Sequence, residues 1–315
     1  MLAFHARLRS RLPLALLVLS LSGLSLSGLG CNLKRMAVNQ TAKVLKAGAP
    51  ALEREWDYDL AAVAIPANVK VIESFLLSAD NNRDLLELAA KVYTSFGLIV
   101  LEDRLERMKD EESERALKTR ARAREMYLRG HRYGLRLMDT YVDHFSDAFK
   151  KGREALKKKL AEVTKEQVHG LIWTAMPLAS AINLGRDDVG LIALLPKVRA
   201  VIDRALELDG SYYNAAPHMM IGAMLGGVGK MFGGDAKKAR EHFEKALSMT
   251  QRKFMLIHVM YAKTLAVQTQ DRKLFETLLR EVIKTPLSIY PEQKLANVTA
   301  KRKAKRLLAR VEELF

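Results

Sequence analysis

Between Asn32 and Phe315 the apolar residues recur at steps of three and four, and no alternating segment bounded by hairpin turns interrupts them. A strand needs a period of two, so this spacing predicts an all-α chain. The stretch E-M-Y-L-R-G-H-R-Y-G-L-R-L-M-D-T-Y shows the pattern. Met126 and Tyr127, Gly130, Tyr133 and Gly134, Leu137 and Met138, and Tyr141 form one stripe, while Arg124, Arg129, Arg132 and Arg136 lie off it. One face is expected to be buried and the other solvated. Leu98, Leu101, Leu105 and Met108 predict a preceding helix of the same kind, and the acidic run D-E-E-S-E at 110–114 predicts a break that favours the next helix start. Phe149, Gly152, Leu156, Leu160 and Val163 mark a further stripe, and T-K-E-Q at 164–167 has the capping-box pattern of a helix N-terminus. Gly185, Gly210 with Ser211, and Gly233 with Gly234 fall where the chain must reverse.

Helices joined by short reversals suggest stacked antiparallel pairs. In tetratricopeptide-type pairs a small residue, a bulky one four positions later and a small one three later let the helices approach and fill the groove between them. Ala239, Phe243 and Ala246 fit this pattern, as do Ala123, Tyr127 and Gly130, and Val198, Ile202 and Ala205 fit it more loosely. The two later matches are 41 residues apart, against a usual period of about 34, so the repeats are stretched and degenerate.

The first thirty residues read differently. Arg7, Arg9 and Arg11 precede an uncharged run from Leu12 to Gly30, the form of a secretory signal. A retained membrane span is the other reading, but serine and glycine recur through the second half of the run and lower its hydrophobicity. The run ends at G-L-G-C-N-L, where Cys31 is the sole cysteine. A lone cysteine excludes internal disulfides and cysteine-based zinc clusters. It also resembles the acylation site of bacterial lipoprotein signals. Gly30 and Cys31 fit that pattern, while Gly28 and Leu29 stand where a branched and a small residue are usual. Acylation at Cys31 would hold the chain on a bilayer, since each buried methylene contributes ~0.8 kcal/mol. A free cysteine beside an ordinary cleavage site is the plainer alternative. The expected division is a lipoprotein signal over residues 1–30 and a single α-helical domain over 31–315.

The formal net charge is +16. Such a balance suits nucleic acid, anionic lipid or an acidic partner, and for an exported chain a membrane surface or partner protein is favoured.

Several motifs in one order resemble the T component of TRAP-type (tripartite ATP-independent) transporters: C-N-L-K-R-M-A-V-N, R-A-R-E-M-Y-L-R-G-H-R-Y-G-L-R, G-G-D-A-K-K-A-R-E-H-F-E-K-A-L, Y-A-K-T-L-A-V-Q-T-Q-D-R-K-L-F and L-A-N-V-T-A-K-R-K-A-K-R-L-L. The resemblance covers nearly all of the chain after Cys31. It implies a non-enzymatic periplasmic lipoprotein of tetratricopeptide-like helix pairs that self-associates. It further implies a partnership with a periplasmic solute-binding protein and the handing over or sheltering of a small organic ligand. The outer membrane is the default site of the lipid anchor, and Asn32 supplies no sorting rule. A lipoprotein serving only as a protein-interaction scaffold is the competing reading.

Nothing in the residues points to chemistry. No two of the seven histidines have ligand spacing with a nearby acid, so no metal or other cofactor is implied. G-G-V-G-K at 226–230 lacks the phosphate-loop spacing and is followed by Met231, so a turn or packing glycine is the better reading. No serine sits in a hydrolase-type glycine elbow. Aromatic and polar residues do concentrate in W-T-A-M-P at 173–177 and S-Y-Y-N at 211–214. Trp173, Tyr212, Tyr213 and Asn214 are the candidate ligand-binding residues, with core packing the commoner fate of such side chains. Pro177 is expected to loosen its helix after Trp173 and open a cavity there. In the last helix Leu295, Val298, Ala304, Leu307, Leu308, Val311 and Leu314 form the apolar face. Lys301, Arg302, Lys303, Lys305 and Arg306, like Lys157, Lys158 and Lys159 earlier, read as a solvated face rather than a surface for an anionic partner. Nucleic-acid binding would need exposed aromatics among these charges, and none lie there.

Overall fold

A computed structural model of the chain describes residues 34–315, so the apolar N-terminal run and Cys31 lie outside the described residues. Among those described there is no strand. Helix α1 (34–48) leads through a single turn residue into α2 (Pro50–Glu53). Asp57 then caps α3 (Tyr58–Leu76), and Asn82 caps α4 (Arg83–Ser95), its side-chain oxygen accepting from Leu85 N at 2.9 Å. A π-helical turn, Phe96–Leu101, joins α4 to α5 (Glu102–Leu105). Ser113 at the end of the acidic break caps α6 (Glu114–Asp139), the longest helix described. The pair α7 (Phe145–Lys151) and α8 (Arg153–Ala161) is separated at Gly152, whose φ of 142° lies beyond the reach of most residues. The Thr164–Gln167 capping box starts a short 3-10 turn that runs into α9 (Val168–Leu184). Then come α10 (Val189–Ile192), α11 (Leu195–Asp209), α12 (Tyr212–Gly226) and α13 (Ala236–Met249). The chain ends with α14 (Leu256–Tyr261), α15 (Arg272–Lys284), α16 (Lys294–Ala309) and α17 (Val311–Leu314).

Neighbouring helices pack in antiparallel pairs, as the small-bulky-small pattern requires. Ala239, Phe243 and Ala246 are fully buried, and so are Val198, Ile202 and Ala205. Phe243 lies against Gly222 of α12, where an added Cβ would come within 3.0 Å of its ring. Tyr127 likewise lies against Gly97 in the π turn. Helix α6 is sandwiched between α4 and α9, which is why its stripe extends to the buried His131 and Leu135.

Pro177 does not break α9. The helix runs on to Leu184, and the carbonyl of Trp173 that a residue other than proline would have engaged packs onto Gly134 of α6. A Cβ at Gly134 would stand 2.5 Å from that oxygen, so the glycine allows the close crossing of α6 and α9. The stripe expected through Leu98, Leu101, Leu105 and Met108 also changes. The π turn inserts a residue into the helical register, so Glu102 and Asp103 turn inward while Leu105 and Met108 are only partly buried.

Those inward carboxylates explain the largest correction. Helix α16 packs on α14 and α15 and also on α2 and α3, so the end of the array returns to its start. Of the basic run expected to be solvated, Arg302, Lys303 and Arg306 form the seam, while Lys305 stays exposed and Lys301 donates to the carbonyl of Ile283. Arg302 binds Asp103 with two nitrogens at 3.1 Å, and Arg306 reaches Asp103 at 2.9 Å and Glu106 at 2.7 Å. Lys303 is buried and sits 3.2 Å from Glu102 and 2.6 Å from Glu106. Tyr127 donates to the other oxygen of Glu102 at 2.5 Å. Burial opposes charge on Asp103, but the hydrogen-bonded Arg302 and the charge of Arg306 outweigh it and hold the carboxyl below its ordinary range. Burial likewise opposes charge on Lys303, and Glu102 and Glu106 more than offset it.

Candidate functional site

Closure of the array leaves a cavity of about 410 Å³, within the ~300–1,000 Å³ range of small-molecule sites. Helices α1 to α4, α9, α12, α14 and α16 and the π turn after α4 all contribute to its wall. Most of the lining is apolar, and among the described residues the charged side chains on it are Glu53 and Lys91 alone.

Lys91 is set by α4, where Leu88, Lys91, Val92 and Ser95 share one helical face that turns to the cavity. Its ammonium lies 5.7 Å from the ring centroid of Trp173 and 5.2 Å from that of Tyr213, within cation–π range of both. The two rings meet edge to face at 4.9 Å. Glu53, at the end of α2, forms an ion pair with Lys91, and its second carboxylate oxygen accepts from Gln293 Nε2 at 3.1 Å. The Trp173 indole nitrogen is buried without a hydrogen-bond partner.

Tyr213 reaches Trp173 through unusual backbone. Tyr213, Asn214 and Ala215 all have positive φ, at 45°, 59° and 58°. Left-handed conformation costs roughly 1–2 kcal/mol for each residue with a Cβ, less for asparagine. Such strain persists only where surrounding contacts fix it. Here Tyr290 donates its hydroxyl to Asn214 Oδ1 at 2.7 Å, and Ala215 is buried.

Of the four residues proposed from sequence, Trp173 and Tyr213 line the cavity. Tyr212 does not; it packs into the apolar cluster beneath α11, and burial raises its hydroxyl pKa. Asn214 is committed to Tyr290 instead of the cavity. Sequence reasoning missed Glu53, Lys91 and Gln293. Lys91 had a readable signal, since it interrupts the apolar face of Leu88 and Val92, whereas Glu53 and Gln293 gain their place only from closure.

Two of the dispersed histidines do come together. His218 Nδ1 and His242 Nδ1 are 3.0 Å apart between α12 and α13, and burial lowers the pKa of His218 to about 4. Among the described residues no group of three or more histidine, cysteine, aspartate or glutamate side chains is arranged to hold a metal ion. No described helix is long and apolar enough to cross a membrane.

A helical-repeat array whose last long helix is joined to its start by a charged seam thus carries an apolar cavity of small-molecule size. The chain belongs to the TRAP transporter T-component family, whose model matches residues 54–315. It is also similar to an uncharacterized protein of Treponema pallidum (strain Nichols), 25% identical over 304 residues that span 91% of this chain and 93% of that protein.

Proposed function

We propose that the chain is a periplasmic accessory subunit of a TRAP-type solute transporter, anchored through acylated Cys31, that works with a solute-binding protein and holds a small organic ligand in this cavity. The observation that carries this reading is the cavity itself. It is mostly apolar, it is lined by helices from both ends of the array, and it bears one ion pair flanked by Trp173 and Tyr213. A protein serving only as an interaction scaffold has no need of such a chamber. Family membership supplies the transporter context.

Isolation from native membranes tests the reading. The expected result is co-purification with a solute-binding protein, an acylated Cys31 at the N-terminus by mass spectrometry, and release from membranes in a Cys31→Ser variant. Recovery with envelope-assembly proteins alone would favour the scaffold reading, and unchanged membrane association of Cys31→Ser would remove the anchor.

A further inference from the structure

The cavity wall is held with unequal strength. Helices α1 and α2 supply Val44, Leu45, Leu52 and Glu53, yet across residues 34–53 Ala42 is the one fully buried side chain. Met36 and Val44 are 58% and 72% exposed. Val38, Leu45, Ala49 and Leu52 pack on the core only partly buried, and polar contacts supply the rest of the hold. Lys46 Nζ lies 2.7 Å from Asp84 and 2.9 Å from Glu87, Asn82 Nδ2 donates to Asn39 at 2.8 Å, and Glu53 pairs with Lys91. A segment with a single fully buried side chain, tied in part through the half-exposed Lys46, opens at lower free energy than the buried helices around it. Residues 55–57 after α2 are non-helical and supply the place where it can swing.

Lys91 stays behind when the segment moves. It is rooted in α4 between Ala90, fully buried, and Val92. Opening removes Glu53 and leaves an ammonium facing an apolar chamber. A charge in such surroundings must be paired, so whatever replaces Glu53 has to bring a negative group of its own. The group that now occupies the position is a carboxylate on a mostly apolar wall.

We propose that residues 34–53 form a hinged strap over the cavity, and that Glu53 is an internal counter-ion whose place on Lys91 is taken by the carboxylate head of a single-chain amphiphile. This rests on the cavity being a ligand site. The strap closes over the apolar tail, and Trp173 and Tyr213 frame the head. Glu53 thereby competes with the ligand and sets its affinity.

The test uses the full chain with Trp56→Phe, so that Trp173 is the only tryptophan and its fluorescence reports occupancy. The probes are decanoate and its neutral counterpart decanol. In Glu53→Gln decanoate is expected to bind at least about tenfold tighter, because the competing charge is gone, while decanol stays within about twofold. Lys91→Met is expected to erase the preference for decanoate and keep decanol binding. Hydrogen exchange measured on the same proteins should show amides of 34–53 exchanging at least about a hundredfold faster than those of α4, and faster still in Glu53→Gln. Unchanged decanoate affinity in Glu53→Gln would overturn the counter-ion, and exchange in 34–53 as slow as in α4 would overturn the strap. Failure of both probes to bind any variant would overturn the ligand site itself, an outcome the exchange rates leave separate from the strap.

Discussion

At the seam between α5 and α16, Asp103 is fully buried and Lys303 is 5% exposed, whereas at the strap Lys46 keeps 46% of its side chain in solvent while it holds Asp84 and Glu87. Both places join parts of the chain distant in sequence, and both use lysine and carboxylate. What separates them is the surroundings. At the seam Asp103 and Lys303 are desolvated, each with more than one partner, so removing one strands the others. At the strap Lys46 lies half in water, which replaces its lost partner at little cost. The same ion-pair chemistry therefore makes a fixed joint in one region and a yielding one in the other, and the cavity lies between them.

Removing one seam charge tests the comparison most severely. Asp103→Ala would leave Arg302 and Arg306 facing each other without their shared carboxylate. A loss of about 3 kcal/mol in unfolding free energy is expected, near the lower end for a broken buried pair because the arginines are partly exposed. Urea unfolding at neutral pH measures it. A loss below about 1 kcal/mol would place the seam with ordinary surface pairs and erase the contrast.

Acid should reach the seam by a smaller step. Asp103 and Glu106 are held below their ordinary ranges; burial opposes this, and Arg302 and Arg306 at one and Lys303 and Lys263 at the other outweigh it. Depressed carboxyl pKa values mean that the unfolded chain takes up protons first. Stability is therefore full above about pH 5 and falls as the pH drops through the ordinary carboxylate range toward the folded values. His131 adds a separate loss. Burial lowers it from 6.5 to about 4, so its contribution fades between those values as the unfolded chain gains the proton. The seam share is thus the difference between the native chain and Asp103→Ala as pH falls from 5 to 3. The variant's urea midpoint should decline less steeply, and parallel declines would show that the seam carboxylates do not carry the acid response.

The contrast also explains what the sequence could disclose. The stripe of α6 and the small-bulky-small positions are local, and each recurs at a helical step, so period alone revealed them. The basic run at 301–306 is local too, but its meaning depends on Glu102, Asp103 and Glu106 about two hundred residues away. A π turn that shifts the register ahead of those acids leaves no mark in apolar spacing. Within the cavity, Trp173 and Tyr213 were legible as aromatics near a proline and a reversal. Tyr212 and Asn214 were not separable from Tyr213, because the left-handed turn that divides them is enforced by Tyr290 from far along the chain.

The smallest expected effect sharpens the comparison from the strap side. Lys46→Ala removes contacts to Asp84 and Glu87. Glu87 is held down to about 2, where burial opposes its charge and His169 and Lys46 together outweigh it. His169 Nδ1 also lies 3.2 Å from Glu87, so the carboxylate keeps a second neighbour when Lys46 is removed. Global unfolding should change by only about 0.5 kcal/mol, the scale of an exposed pair. The local effect should be larger, because Ala42 is the one fully buried side chain of α1, and amides of 34–48 should exchange several-fold faster while those of α16 are unchanged. Raising the salt to 1 M should reproduce that pattern in the native chain, since a Debye length of about 3 Å screens exposed pairs and leaves desolvated ones intact. Equal acceleration of α1 and α16 in salt would mean that the seam and the strap share one electrostatic regime, and the distinction between fixed and yielding joints would fall.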